Sequence, residues 1–331
     1  MRISLYAAAL GVTVVLAGCA SDDRPALEQA DGTGSTVTSA RAAASTEAAG
    51  EPTTTTAVTR TNQAMPAPNG RRRPAPPRTA AAAAKAVERT ESALLSPDTA
   101  VRRLPDLGHL NQVIYRTAAA HPQWHDKIRS ILPPDLVTVF NTHMAIRSSL
   151  TTLHSELPTS VPAWQIIEPE PIHDLLKYYT EAEAQSGIEW EYLAAINLIE
   201  TGMGRIDGLS SAGAQGPMQF IPTTWDEVGE GDVHDPHDAI AAAARYLVQR
   251  GGPSDMDAAL WGYNNSDYYV EAVKGYAALL RAEPGALVGI YNWEIYFSTP
   301  DGLLWLPVGM LNAEASTVDE YLSANPWSAP L

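Results

Sequence analysis

The sequence predicts a mainly α-helical fold: a helical unit preceded by a helical extension and followed by a small C-terminal β-hairpin. Three observations predict it. From Pro97 onward apolar residues recur at helical spacing. The periodic stretches are short and closed by glycine. The signature of paired strands shows only near the C-terminus. At 331 residues and 45% hydrophobic, the chain is long enough for one or two packed domains.

The chain opens Met1-Arg2-Ile3, followed by an apolar run to Leu16-Ala17-Gly18-Cys19. A charged head, a short apolar body and a small-residue end make residues 1–18 an export signal, too short to span a bilayer comfortably. Leu16-Ala17-Gly18-Cys19 resembles the bacterial lipobox, which implies cleavage before Cys19 and a diacyl lipid on that residue. An ordinary secretory signal is the alternative. Cys19 is the only cysteine, so an intrachain disulfide is impossible and packing alone must hold the fold.

Residues 19–95 are rich in Ala, Thr, Ser and Pro and nearly devoid of large apolar side chains, as in Thr53-Thr54-Thr55-Thr56 and Arg71-Arg72-Arg73-Pro74. We expect a disordered tether, because such a composition buries too little apolar surface to offset chain entropy. Its root-mean-square reach is roughly 45–50 Å.

A helical extension is expected over 96–171. Over 172–283, His173 to Ala184 places Leu175, Leu176, Tyr179 and Ala182 on one face and stops at Gly187. Ile188 to Thr201 is apolar almost all round and ends at Gly202 and Gly204. A third helix is expected to open at Asp238 as N-cap and to stop at Gly251-Gly252-Pro253. Two more cover Met256 to Trp261 and Asp267 to Glu283. In 284–331, Trp293 to Phe297 and Leu303 to Leu306 flank the turn residues Thr299-Pro300-Asp301-Gly302, which predicts the hairpin.

Charge narrows the partners. The chain carries a net −16, and residues 96–331 hold 30 acids against 12 bases. A nucleic-acid binder needs clustered Lys and Arg, so nucleic acid is excluded as the expected partner.

Glu200 is the first candidate for chemistry. It lies on the stripe of Leu193 and Ile196, so it points where the apolar face points, and it occupies the last helical turn, where the dipole disfavours an anion. Burial and dipole both raise a carboxyl pKa, which suits a general acid at neutral pH. A helix-end Glu that bonds the following Gly-rich loop is the structural alternative.

Four motifs surround it: Ile199-Glu200-Thr201-Gly202-Met203-Gly204; Ser210 through Gly216-Pro217-Met218-Gln219-Phe220; Asp235-Pro236-His237-Asp238-Ala239-Ile240 with Ala242 to Leu247; and Ala259-Leu260-Trp261-Gly262-Tyr263-Asn264. In this order and spacing they resemble the soluble lytic transglycosylase (SLT) domain, related to goose-type lysozyme. The resemblance covers 172–283, and the stretch from Leu104 looks like the extension of actinobacterial members. It implies a lysozyme-like fold with Glu200 as the single catalytic acid/base. It also implies substrate contacts from Thr201, Ser210, Met218, Gln219, Tyr263 and Asn264. Two positions depart from the family: Thr201 stands where Ser is usual, and Pro217 where Leu is common.

The implied reaction cleaves the β-1,4 bond between N-acetylmuramic acid and N-acetylglucosamine in peptidoglycan and leaves 1,6-anhydro-N-acetylmuramic acid ends. Ordinary glycosidases use two carboxyl groups; here the substrate's N-acetyl carbonyl replaces the second. Lysozyme-like hydrolysis of the same bond is the first alternative, for which Asp207 and Asp226 are the nearby acids, and a catalytically silent wall-binding lipoprotein is the second. No cofactor is needed. No metal is expected either, since the Asp232 to Asp238 run, with two His and three Asp, reads more simply as a polar turn and N-cap. The expected partners are peptidoglycan glycan strands and, through lipid on Cys19, the cell membrane, with the enzyme facing the extracytoplasmic wall space. The sequence names no protein partner.

Overall fold

The computed structural model describes residues 65–329. The expected leader, Cys19 and the tether as far as residue 64 lie outside the described residues. Twelve α-helices and three two-stranded antiparallel pairs make up the described chain. In order, the helices are α1 (Ala80–Leu95), α2 (Leu104–Ala119), α3 (His125–Arg129), α4 (Pro134–Leu153), α5 (Ile172–Ser186), α6 (Trp190–Thr201), α7 (Pro222–Val228), α8 (Pro236–Gln249), α9 (Met256–Tyr263), α10 (Asp267–Ala282), α11 (Ala286–Tyr291) and α12 (Val318–Ala324). The strands are β1 (Ser160–Val161), β2 (Gln165–Ile166), β3 (Ile206–Asp207), β4 (Ile295–Thr299), β5 (Gly302–Leu306) and β6 (Ser316–Thr317).

Helix α6 is apolar almost all round and is therefore buried almost all round: Leu193, Ala194, Ala195, Ile196 and Asn197 have no exposure. Around it α10 packs on both α4 and α6, α5 packs on α6 and α8, and α9 lies against α8 and α10. A second, smaller core gathers on the β4–β5 hairpin, with Phe297, Leu304, Trp305 and Leu306 fully buried beside Val113 and Val161. The hairpin register runs from Ile295 opposite Leu306 to Thr299 opposite Gly302. The short pairs β1–β6 and β2–β3 tie the connection between α4 and α5 to the C-terminal segment and to the loop after α6.

Several helix limits differ from the sequence reading. The N-cap of α8 is Asp235, whose side chain accepts from the backbone N–H of His237 and Asp238. Pro236 then occupies the first helical position, where its missing N–H costs nothing. Asp238 turns back instead to accept from Asp232 N at 3.0 Å. Helix α7 and the strand pairs β1–β6 and β2–β3 were not expected, being too short to carry a period.

The expected tether over 19–95 is corrected at its C-terminal end, because Met65 to Leu95 are folded onto the rest. Thr79 caps α1, and Ala83, Ala84 and Val87 of that helix have no exposure. Alanine has the best intrinsic helix propensity, and its small side chain lets α1 approach α2 and α11 closely. Composition alone reads the same alanines as an inability to bury surface. Glu91 of α1 accepts from Tyr115 Oη at 2.6 Å and from Asn111 Nδ2 at 2.8 Å, both on α2. In the arginine run only Arg72 is exposed. Arg71 pairs with Glu294 and Asp106, and buried Arg73 donates to the carbonyl of Ala329.

Removing α1 uncovers Val87 and Leu94 together with their partners, which at about 1.5–3 kcal/mol per large apolar side chain is a serious loss. A chain beginning at residue 65 is expected to melt with the full chain. One beginning at residue 96 is expected to melt on the order of 10 °C lower. Equal calorimetric midpoints for the two truncations would show that α1 contributes nothing to the core.

Candidate active site

Helix α6 ends at Gly202, whose φ of +63° belongs to the left-handed region. A Cβ at this position would also run into Ile295 of the hairpin, so both conformation and space require glycine. The stop places Glu200 in the final turn. Its side chain has no exposure, as expected from its place on the Leu193–Ile196 stripe.

One oxygen of this carboxyl, Oε1, accepts from the hydroxyl of Tyr269 at 2.8 Å. The other, Oε2, is buried with no hydrogen-bond partner among the described residues. Burial pushes the Glu200 pKa well above the ordinary carboxylate range, and the Tyr269 hydrogen bond offsets only part of that shift. Tyr269 in turn is held protonated: burial first, and the Glu200 carboxylate second, push its phenol well above 10. The pair is therefore a phenol that keeps its proton and a carboxylic acid that resists losing its own.

A loop from Gln215 to Phe220 closes against α6. Gln215 and Phe220 exchange both backbone hydrogen bonds at 2.9 Å, and the four residues between them are pinned from two sides. The Thr201 hydroxyl donates to Pro217 O at 2.6 Å, and Asn197 Nδ2 donates to the same carbonyl at 2.8 Å. From α9, Tyr263 Oη donates to Met218 O at 2.8 Å. Gly216 takes φ +73°, and a Cβ there would enter the carbonyl of Val233. Gln219 also has positive φ, at 53°, an uncommon conformation for a glutamine that the surrounding loop must hold in place. Its side-chain amide donates back to Gly216 O at 3.0 Å.

The structure thus joins Thr201, Met218, Gln219 and Tyr263 into one network on the end of α6. Thr201 and Met218 are fully enclosed, and the Thr201 hydroxyl is committed to the loop. Tyr263 stacks on Tyr269 with planes 5° apart and centroids at 6.3 Å, so it backs the phenol that holds Glu200. Ser210 is outside this network. Its Oγ accepts from Ala212 N and Ala214 N and shapes the turn over 210–214. Asn264 caps α9, and its side-chain nitrogen is buried without a partner among the described residues.

Two members were missed from the sequence: Tyr269 and Asn197. Tyr269 heads the stripe Tyr269, Ala272, Val273, Tyr276 of α10, all buried. A tyrosine on a wholly apolar face must find an acceptor for its hydroxyl, and that was the available signal. Of the alternative acids, Asp207 on β3 and Asp226 on α7 are both exposed, and neither bonds Glu200. Asp235, His237 and Asp238 offer ligand atoms within 4.8 Å of one another, yet Asp235 accepts from the backbone N–H groups of His237 and Asp238, and Asp238 from that of Asp232 in the preceding loop.

The candidate site is thus a buried acid on the last turn of a buried helix, enclosed by a strained loop and stacked tyrosines. Residues 177–280 match the family model described as the transglycosylase SLT domain. A curated relative, the membrane-bound lytic murein transglycosylase F of Thiobacillus denitrificans, is 29% identical over 138 residues, 39% of this chain. The chain spans 29% of that relative's length.

The raised pKa links Glu200 to stability. Protonated Glu200 contributes stability that is fully present below the unfolded value of about 4.3 and is lost as pH rises from there through the raised folded value. Glu200→Gln keeps the shape and removes the titration. Relative to the parent it is therefore expected to be stabilised more at pH 7 than at pH 4, as read from thermal melts of both proteins. An equal or smaller gain at pH 7 would mean that the site does not disfavour the carboxylate.

Proposed function

We propose that the protein is a peptidoglycan lytic transglycosylase with Glu200 as its only catalytic acid/base. The observation that carries this reading is the division of labour within the carboxyl: Oε1 is held by Tyr269 and Oε2 is unengaged. The proton sits on Oε2 and passes to the glycosidic oxygen as the bond from C1 of N-acetylmuramic acid breaks. The substrate's N-acetyl carbonyl supports the cationic carbon. The carboxylate so formed is stabilised by the Tyr269 hydrogen bond, worth about 1.5–3 kcal/mol to a charged acceptor. It then takes the proton of the C6 hydroxyl, whose oxygen closes on C1. Glu200 ends protonated, no water is consumed, and the product is a 1,6-anhydro ring.

Thr201, Met218 and Tyr263 act in this reading by holding the loop that sets the cleft wall. Ser210, Gln219 and Asn264 supply polar groups for the glycan. Pro217 fits the departure from the family's usual leucine because its carbonyl, rather than its side chain, is what Thr201 and Asn197 grip. No helix among the described residues is long and apolar enough to cross a membrane. We assign membrane attachment to a diacyl lipid on Cys19, which fits a name that calls the relative membrane-bound.

Digestion of purified sacculi, followed by mass spectrometry of the released fragments, tests the chemistry. Anhydro ends, one water lighter than reducing ends, are expected, with resistance in strands whose muramic acid lacks its N-acetyl group. Mainly reducing ends would instead establish a hydrolase. Glu200→Gln is expected to lower turnover at least a thousandfold, since proton donation and abstraction both depend on it.

Attachment has a separate readout. Cys19→Ala is expected to abolish incorporation of labelled fatty acid while leaving activity on isolated wall unchanged. Normal labelling of that variant would rule out anchoring through Cys19.

A further inference from the structure

Behind the last turn of α6 lies a small cavity of about 30 Å³, walled by Ile199 on that side and reached by Arg116 of α2, Arg147 of α4, Tyr276 of α10, and Glu294 and Tyr296 at the hairpin. Arg116 is only 8% exposed. Its guanidinium lies 4.8 Å from the centre of the Tyr296 ring, and its Nε and Nη1 are buried with no acceptor among the described residues. It forms no ion pair with any described residue. The charge it meets is of its own sign: burial first, then Arg147, push its pKa well below the usual guanidinium value.

The one carboxylate in the cavity wall is already engaged. Glu294 pairs through Oε1 with Arg71, and its Oε2 accepts from Trp305 Nε1 at 3.4 Å. Arg205 is buried nearby in the same region, with its Nη groups on the carbonyls of Gly202 and Tyr291 and its Nε unpartnered among the described residues. A chain of net charge −16 has thus buried an excess of guanidinium groups at one place. An unpaired interior cation is costly, so burial of this kind calls for a counter-charge.

We infer that this cavity binds a monatomic anion of the chloride class, held by Arg116 and Arg147 against the catalytic helix. A volume of about 30 Å³ holds a small anion in place of one or two waters. The donors decide the sign, since the Arg116 guanidinium presents N–H groups with no acceptor among the described residues and needs a partner that only accepts. Water would satisfy the hydrogen bonds while leaving the charge uncompensated. Both arginines come from helices that precede the SLT domain, and the opposite wall is the final turn of α6, so the ion joins the extension to the helix that carries Glu200.

The test uses the full chain, with chloride and bromide as probes and gluconate as a control too large to enter. At constant ionic strength, replacing sodium gluconate by sodium chloride is expected to raise the thermal midpoint saturably by several degrees, and bromide is expected to do the same. Arg116→Met is expected to abolish the chloride dependence. Should that variant not fold, Arg147→Gln is expected to move the half-saturating chloride concentration at least severalfold upward. Crystals grown in bromide are expected to show an anomalous peak beside the Arg116 guanidinium. Identical midpoints in chloride and gluconate throughout the titration, or bromide crystals in which only water meets Arg116, would overturn the assignment.

Discussion

A carboxyl group without exposure, carried on the last turn of a helix that is itself enclosed, is the constraint from which the architecture follows. Burying Glu200 costs several kcal/mol if it ionises without full compensation. The fold meets that cost by supplying one hydrogen bond from a phenol that keeps its proton, and by letting the acid remain protonated. Every element near the site serves one of these two conditions. Helix α10 brings Tyr269, α9 brings the tyrosine stacked on it, and Gly202 ends α6 where the hairpin crosses it.

The Gln215–Phe220 loop shows how strain is placed beside such a group. Gln219 adopts a conformation that glutamine rarely takes, and Gly216 leaves no room for a side chain. The compensation comes from carbonyls: Pro217 O and Met218 O are gripped by Asn197, Thr201 and Tyr263, from two different helices. A loop held by its backbone tolerates a changed side chain, which is why proline at 217 keeps the network. It also gives the threonine at 201 a role that its hydroxyl explains and its extra methyl does not.

The N-terminal helices are built into the same structure. Helix α1 closes over α2 and α11, Arg71 reaches Glu294, and Arg116 and Arg147 line a cavity with the last turn of α6. The extension therefore faces α6 across a cavity lined by charged groups, while the helices that follow residue 172 enclose it through apolar ones. The two environments differ in kind: the apolar side controls the proton on Glu200, and the basic side awaits a counter-charge.

What the sequence alone determined was local in origin. Helical period, glycine stops and the Pro-Asp-Gly turn located α5, α6, α9, α10 and the hairpin close to their observed limits, because each is specified by residues within a few positions of one another. The stripe of Leu193, Ile196 and Glu200 likewise disclosed a buried acid before any fold was known. Only the tertiary structure decided the partners. Nothing near Glu200 in the chain indicates that a tyrosine 69 positions later would hold it. Nothing in an alanine-rich stretch shows that another helix waits to receive it, so α1 was read as part of a tether. Asp235 rather than Asp238 became the N-cap because a proline followed it and the second carboxylate found Asp232 N. In each case the deciding contact joins residues whose proximity comes from chain folding, and periodicity carries no record of which faces will meet.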